Sequence, residues 1–72
     1  MNTEISNWTI RTLMPRPSMS ENKEPFTGTY EQAKDLARQR HMETGRSSSV
    51  ESYMTYWFTV TNAGEEDKNI NA

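Results

Sequence analysis

Val50-Glu-Ser-Tyr-Met-Thr-Tyr-Trp-Phe-Thr-Val-Thr-Asn62 is the stretch whose reading decides the fold. It holds four of the chain's seven aromatic residues and both valines, with no glycine or proline. β-Branched and aromatic side chains fit a pleated, half-buried surface, so the run reads as one long strand. Alternation then sends Met54, Tyr56, Phe58 and Val60 to one face. Glu51, Tyr53, Thr55, Trp57, Thr59 and Thr61 go to the other. A helix competes over the first half. Val50, Tyr53, Met54, Trp57 and Phe58 also fall at helical spacing, and Ser48–Glu51 has the form of a capping box. Thr55–Thr61 is poor in strong helix formers, which favours the strand.

Working outward, Thr29–Thr44 reads as a helix. Thr29 is a suitable N-cap and Gln32 completes a capping box. Glu31 and Asp35 come early and Lys34, Arg38, Arg40 and His41 later, an order that complements the helix dipole. Tyr30, Ala33, Leu36, Ala37 and the stem of Arg40 form the stripe expected to be buried. Gly45 can take the left-handed conformation that ends a helix. Further upstream, Ile5–Met14 alternates, with Trp8, Ile10, Thr12 and Met14 on one face and Asn7, Thr9, Arg11 and Leu13 on the other. Pro15 ends it. Residues 15–28 have no apolar period and read as a long loop, anchored by Phe26 and Met19 or hiding a short strand near Pro25–Thr27. Residues 64–72 have the composition of a flexible acidic tail.

The expected fold is therefore α+β: one small domain over residues 1–63, a two-layer sandwich of one helix on a two- or three-stranded sheet, in the order β-(β)-α-β. The strands flanking the helix would run parallel if they are neighbours. The core must be thin, because Leu, Ile, Val and Phe number only nine in 72 residues. Trp, Tyr and Met supply the remaining bulk, and each large aromatic buries roughly 150–250 Å².

Composition excludes more than it identifies. There is no cysteine, hence no disulfide, thiol nucleophile or cysteine-based zinc site. No apolar run reaches the ~20 residues of a membrane span and no signal-peptide core follows Met1, so a soluble, cytoplasmic protein is expected. Net charge is only −2, and residues 1–63 are balanced, which argues against a nucleic-acid binder. The three glycines all mark segment ends and form no phosphate loop, and Ser47–Ser49 has no paired base. No catalytic, cofactor or metal site is expected. His41 has no acid or second ligand at helical spacing and reads as a helix-end residue.

Two groups of residues remain as candidate contacts. Arg11, Leu13, Tyr53 and Trp57 share the face opposite the expected helix, and Trp, Tyr and Arg are the types that dominate protein-binding surfaces. The competing expectation is that the loop 15–28 folds over them. Lys34, Arg38, Arg40, His41 and Arg46 form a modestly basic helix end, suited to an acidic partner or phosphates, or simply solvated beside Asp35 and Glu43.

A cysteine-free polar chain of this size, with the capped helix Thr29-Tyr-Glu-Gln-Ala-Lys-Asp-Leu-Ala37 between strands and a tail after them, resembles the very small α/β proteins of phages and mobile elements, including anti-CRISPR inhibitors. The resemblance is one of size, composition and layout. It implies a non-enzymatic, stoichiometric binder of a host protein. The alternative is a nucleic-acid-binding accessory protein using the basic helix end. A two-fold homodimer is also expected, from the unprotected edge of the Val50–Asn62 strand and the uncovered Tyr53 and Trp57.

Overall fold

In a computed structural model of the chain, residues 4–53 and 55–68 are described. They form β1 (Ser6–Leu13), β2 (Glu21–Gly28), α1 (Tyr30–Thr44), β3 (Ser48–Ser52), β4 (Thr55–Thr61) and β5 (Gly64–Asp67). The five strands make one antiparallel sheet in the order β2-β1-β3-β4-β5, and α1 packs across it. This corrects the expected sheet of two or three strands. The helix and the two-layer arrangement stand; the strand count, topology and direction do not.

Three local departures produce the difference. First, residues 21–28 are a full strand, paired with β1 from Leu13↔Glu21 to Ser6↔Gly28. It was illegible as one because Glu-Asn-Lys-Glu-Pro-Phe-Thr-Gly is polar and contains a proline. Both features suit an edge strand, where one side has no ladder to complete. The hairpin also reverses the chain, so β1 and β3 are neighbours but antiparallel, and the crossover through α1 joins β2 to β3 over β1. Second, Val50–Asn62 is not one strand. It folds back at Tyr53, whose φ is 51°, and β3 and β4 pair as a hairpin closed by Ser52↔Thr55. Third, Gly64–Asp67 is not tail but β5, paired along β4 from Thr61↔Gly64 to Phe58↔Asp67. Met54 and Ile70, which entered the expected core and tail, lie outside the described residues.

The core sits between α1 and one sheet face. Trp8, Ile10 and Thr12 alternate inward from β1 as their spacing requires, joined by Val50, Phe58 and Val60. Ala33 and Ala37 are fully buried, and their small side chains let the helix lie close to the sheet. Tyr30 and Leu36 pack on this core at half burial. The polar members are satisfied: Thr12 Oγ1 and Ser48 Oγ share a hydrogen bond of 2.9 Å. The capping box forms as expected, with Gln32 N donating to Thr29 Oγ1 at 3.1 Å and Thr29 N to Gln32 Oε1 at 2.9 Å. Gly45, at φ 71°, ends the helix and donates to His41 O. Gly28 is needed for close approach, since a Cβ there would meet Gln32 Oε1 at 2.5 Å and the Phe26 ring at 2.8 Å.

Candidate functional site

The helix cations are the first group the structure redistributes. Lys34 is buried, its ammonium 3.0 Å from Glu31, 3.6 Å from Asp67 and 4.6 Å from the centre of the Tyr30 ring. Arg38 pairs with Asp35 at 2.7 Å and with Glu65 through two hydrogen bonds of 2.7 and 3.0 Å. Its bond to Glu65 raises the guanidinium pKa despite an opposing desolvation, and the same bond lowers that of Glu65. Arg40 reaches across to Glu24 on β2 at 2.9 Å and pairs with Glu43 at 3.1 Å; the Glu24 bond raises its pKa. His41 Nδ1 lies 2.7 Å from Arg46 O. The expected basic helix end is thus largely neutralised by carboxylates from β2, β5 and α1 itself. Of the five, His41 and Arg46 have no carboxylate partner among the described residues, and Arg46 donates instead to Met14 O at 2.8 Å.

Arg11, Leu13, Tyr53 and Trp57 are also not one patch. Arg11 lies on the open face of the sheet, between Glu21 at 3.0 Å and Glu51 at 3.3 Å, with its guanidinium 4.9 Å from the centre of the Tyr56 ring. Leu13 follows it at half burial. Trp57 leaves this face because β4 carries a bulge. Val50 pairs with Phe58 and Glu51 with Tyr56, so Trp57 is the extra residue and strict alternation breaks there. Its ring instead joins Trp8 and Tyr30, with centroids 5.4 and 5.7 Å away in edge-to-face contacts. Tyr30 closes the cluster. Its single hydroxyl proton is shared between Asp67 and Trp57 O, the latter at 2.9 Å, and burial, reinforced by Asp67, raises its pKa. Trp57 Nε1 is buried with no hydrogen-bond partner among the described residues.

Tyr53 stands apart from all of these. It is 97 % exposed at the tip of the β3–β4 hairpin, in the left-handed region. Two-residue hairpin loops demand a positive φ at their first position, and glycine, asparagine or aspartate normally supplies it. A tyrosine there costs about 1–2 kcal/mol of backbone strain and buries nothing in return. Ile5, 65 % exposed, lies at the same end of the sheet, since the pairings Ser6↔Gly28 and Thr9↔Glu51 place the start of β1 beside the end of β3.

The opposite end holds a second feature that the sequence reading did not single out. Two adjoining grooves of about 410 and 430 Å³ share Arg16 and Arg46 in their walls. The exposed Met19 borders one and Leu13 the other. The missed signal was the density of arginine, proline and methionine in Met14–Met19, which the loop reading left without a role. Among the described residues no group of three or more His, Asp and Glu side chains could hold a metal ion. No helix among them is long and apolar enough to cross a membrane.

No family model, no curated protein and no solved structure matches this chain.

Proposed function

We propose that this chain is a non-enzymatic protein-binding module, a stoichiometric inhibitor or accessory protein of the phage or mobile-element type, acting in the cytoplasm on a host protein through the Tyr53 tip. The observation that carries the reading is Tyr53 itself: a strained backbone that holds a large aromatic almost wholly in solvent. Strain at an exposed position that contributes nothing to packing points to use rather than to folding. Tyrosine gives large contact area at low entropic cost and is a preferred anchor in binding surfaces. Ile5 is a second exposed apolar side chain at the same end of the sheet.

The nucleic-acid alternative loses its support, because Lys34, Arg38 and Arg40 each carry carboxylate partners. The homodimer loses its premises too. β3 and β4 both lie inside the sheet, and Trp57 is packed in the aromatic cluster. The true edges are protected, β2 by Pro25 and charges, β5 by its shortness and its acids.

The test is site-specific photo-cross-linking in the cells that normally express the chain. A benzophenone side chain placed at position 53 should give one discrete adduct, and the same group at Gln39 on the outer helix face should give none. No adduct at position 53, or the same adducts from both positions, would remove the proposal.

A further inference from the structure

The arginine-walled end of the molecule, at the far end of β1 from Tyr53, carries a separate inference. Among the described residues, Arg11, Lys34, Arg38, Arg40 and Lys68 all have a carboxylate within ion-pair distance, and Arg16, Lys23 and Arg46 do not. Two of those three, Arg16 and Arg46, line both grooves.

Arg46 is held ready. Its Nη1 donates to Met14 O at 2.8 Å, with Ser18 O at 3.5 Å, so the side chain is clamped to the turn it faces. That turn is fixed in its own right: Ser18 N donates to Pro15 O, Met14 N to Ser20 O and Ser20 N to Ser18 Oγ, all at 3.1 Å. The remaining edge of the guanidinium, Nε and Nη2, makes no hydrogen bond with the described residues. Two parallel donors on one planar edge match the two oxygens of a carboxylate. The nearby helix end does not oppose an anion strongly, because Arg40 O accepts from Thr44 Oγ1 and His41 O from Gly45 N.

We propose that this end binds an acidic peptide segment of a protein partner, with a Glu or Asp carboxylate on the free edge of Arg46 and beside Arg16, and a neighbouring apolar side chain against Met19. Charge complementarity selects the acid, and Met19, 96 % exposed beside Arg16, offers the apolar contact. Methionine adapts to varied apolar groups. A nucleic-acid backbone is the poorer fit. It asks for a row of unpaired cations, whereas the neighbouring sheet face presents Glu21 and Glu51 around Arg11.

The experiment is an NMR titration of the full chain, following the Nε–H signals of Arg16 and Arg46 and the methyl of Met19. The probes are the blocked peptide Gly-Glu-Glu-Leu-Gly, its Gln-Gln counterpart, inorganic phosphate and a short single-stranded DNA. The acidic peptide should give saturable shifts at all three signals, with binding about tenfold or more weaker for the Gln peptide, as expected for loss of charge-assisted bonds. Arg16→Gln, at an exposed and unpaired position, should keep the amide spectrum of the folded chain and weaken the peptide by a similar factor. Tyr53→Asn should leave peptide binding unchanged, which separates this surface from the Tyr53 tip. Absence of shifts up to the solubility limit of the peptide would overturn the proposal. So would equal shifts with the Gln peptide, or tighter binding of phosphate or DNA than of the acidic peptide.

Discussion

Replacing Tyr53 by asparagine should make the protein more stable. The side chain is 97 % exposed, so its removal forfeits almost no buried area. The backbone is at φ 51°, where asparagine is several-fold favoured over bulky residues. The left-handed conformation costs an ordinary residue about 1–2 kcal/mol. Asparagine relieves part of that, so a gain of about 0.5–1 kcal/mol is expected. Asparagine is the better probe than glycine, which would also loosen the unfolded chain and offset the gain. In a domain of this size each kcal/mol moves Tm by roughly 4–8 °C, so Tm should rise by roughly 2–8 °C. Thermal unfolding followed by circular dichroism, with urea unfolding as a second measure, is sufficient. A fall in Tm would refute the reasoning, because it would mean that the tyrosine side chain contributes to packing and that its conformation is not strained.

Three further outcomes follow from the contacts. Deleting residues 64–72 should destabilise the chain by about 2–4 kcal/mol, from several lost backbone hydrogen bonds of β5 at about 0.5–1.5 kcal/mol each; an unchanged urea midpoint would show that β5 does not form. Glu65 is held below the usual carboxylate pKa by Arg38, so its contribution is present above the unfolded value of about 4.3 and is lost as pH falls through the lower folded value. The stability difference between wild type and Glu65→Gln should therefore be constant near neutrality and shrink in acid. Tyr30 is raised by burial and by Asp67, so its contribution is complete below about pH 10 and is lost as pH rises further. Tyr30→Phe should be the less pH-dependent protein there, as read by alkaline unfolding.

The helix was legible because its signals are local. Thr29 and Gln32 make the cap, Gly45 the stop, and Ala33, Leu36 and Ala37 the packed stripe, all within one helix and its two caps. The inward alternation of Trp8, Ile10 and Thr12 was legible for the same reason. The rest depends on partners distant in sequence. β2 and β5 are edge strands whose polar, charged residues satisfy the demands of an edge and so resemble loop and tail. The break at Tyr53 carries no turn residue, which is why an aromatic run read as continuous. One bulge residue then moved Trp57 from the open face to the covered one. The basic helix face disappeared because Glu24, Glu65 and Asp67 reach it from strands that the sequence reading had not drawn. Of the candidate contacts, Tyr53 is almost wholly exposed, and Arg11 is on the open face but held between Glu21 and Glu51. Arg16 and Met19 emerged only when the turn between β1 and β2 closed beside Arg46.

The most direct measurement compares wild type and Tyr53→Asn as immobilised bait in extract from the cells that normally express the chain. Both proteins are first shown to be folded and monomeric, and recovery is quantified at two salt concentrations. A single protein held by wild type at near-equal stoichiometry at both salts, and lost from the more stable Tyr53→Asn, is the expected result. Equal recovery by the two baits, or recovery only of nucleic acid that is released by salt, would contradict it.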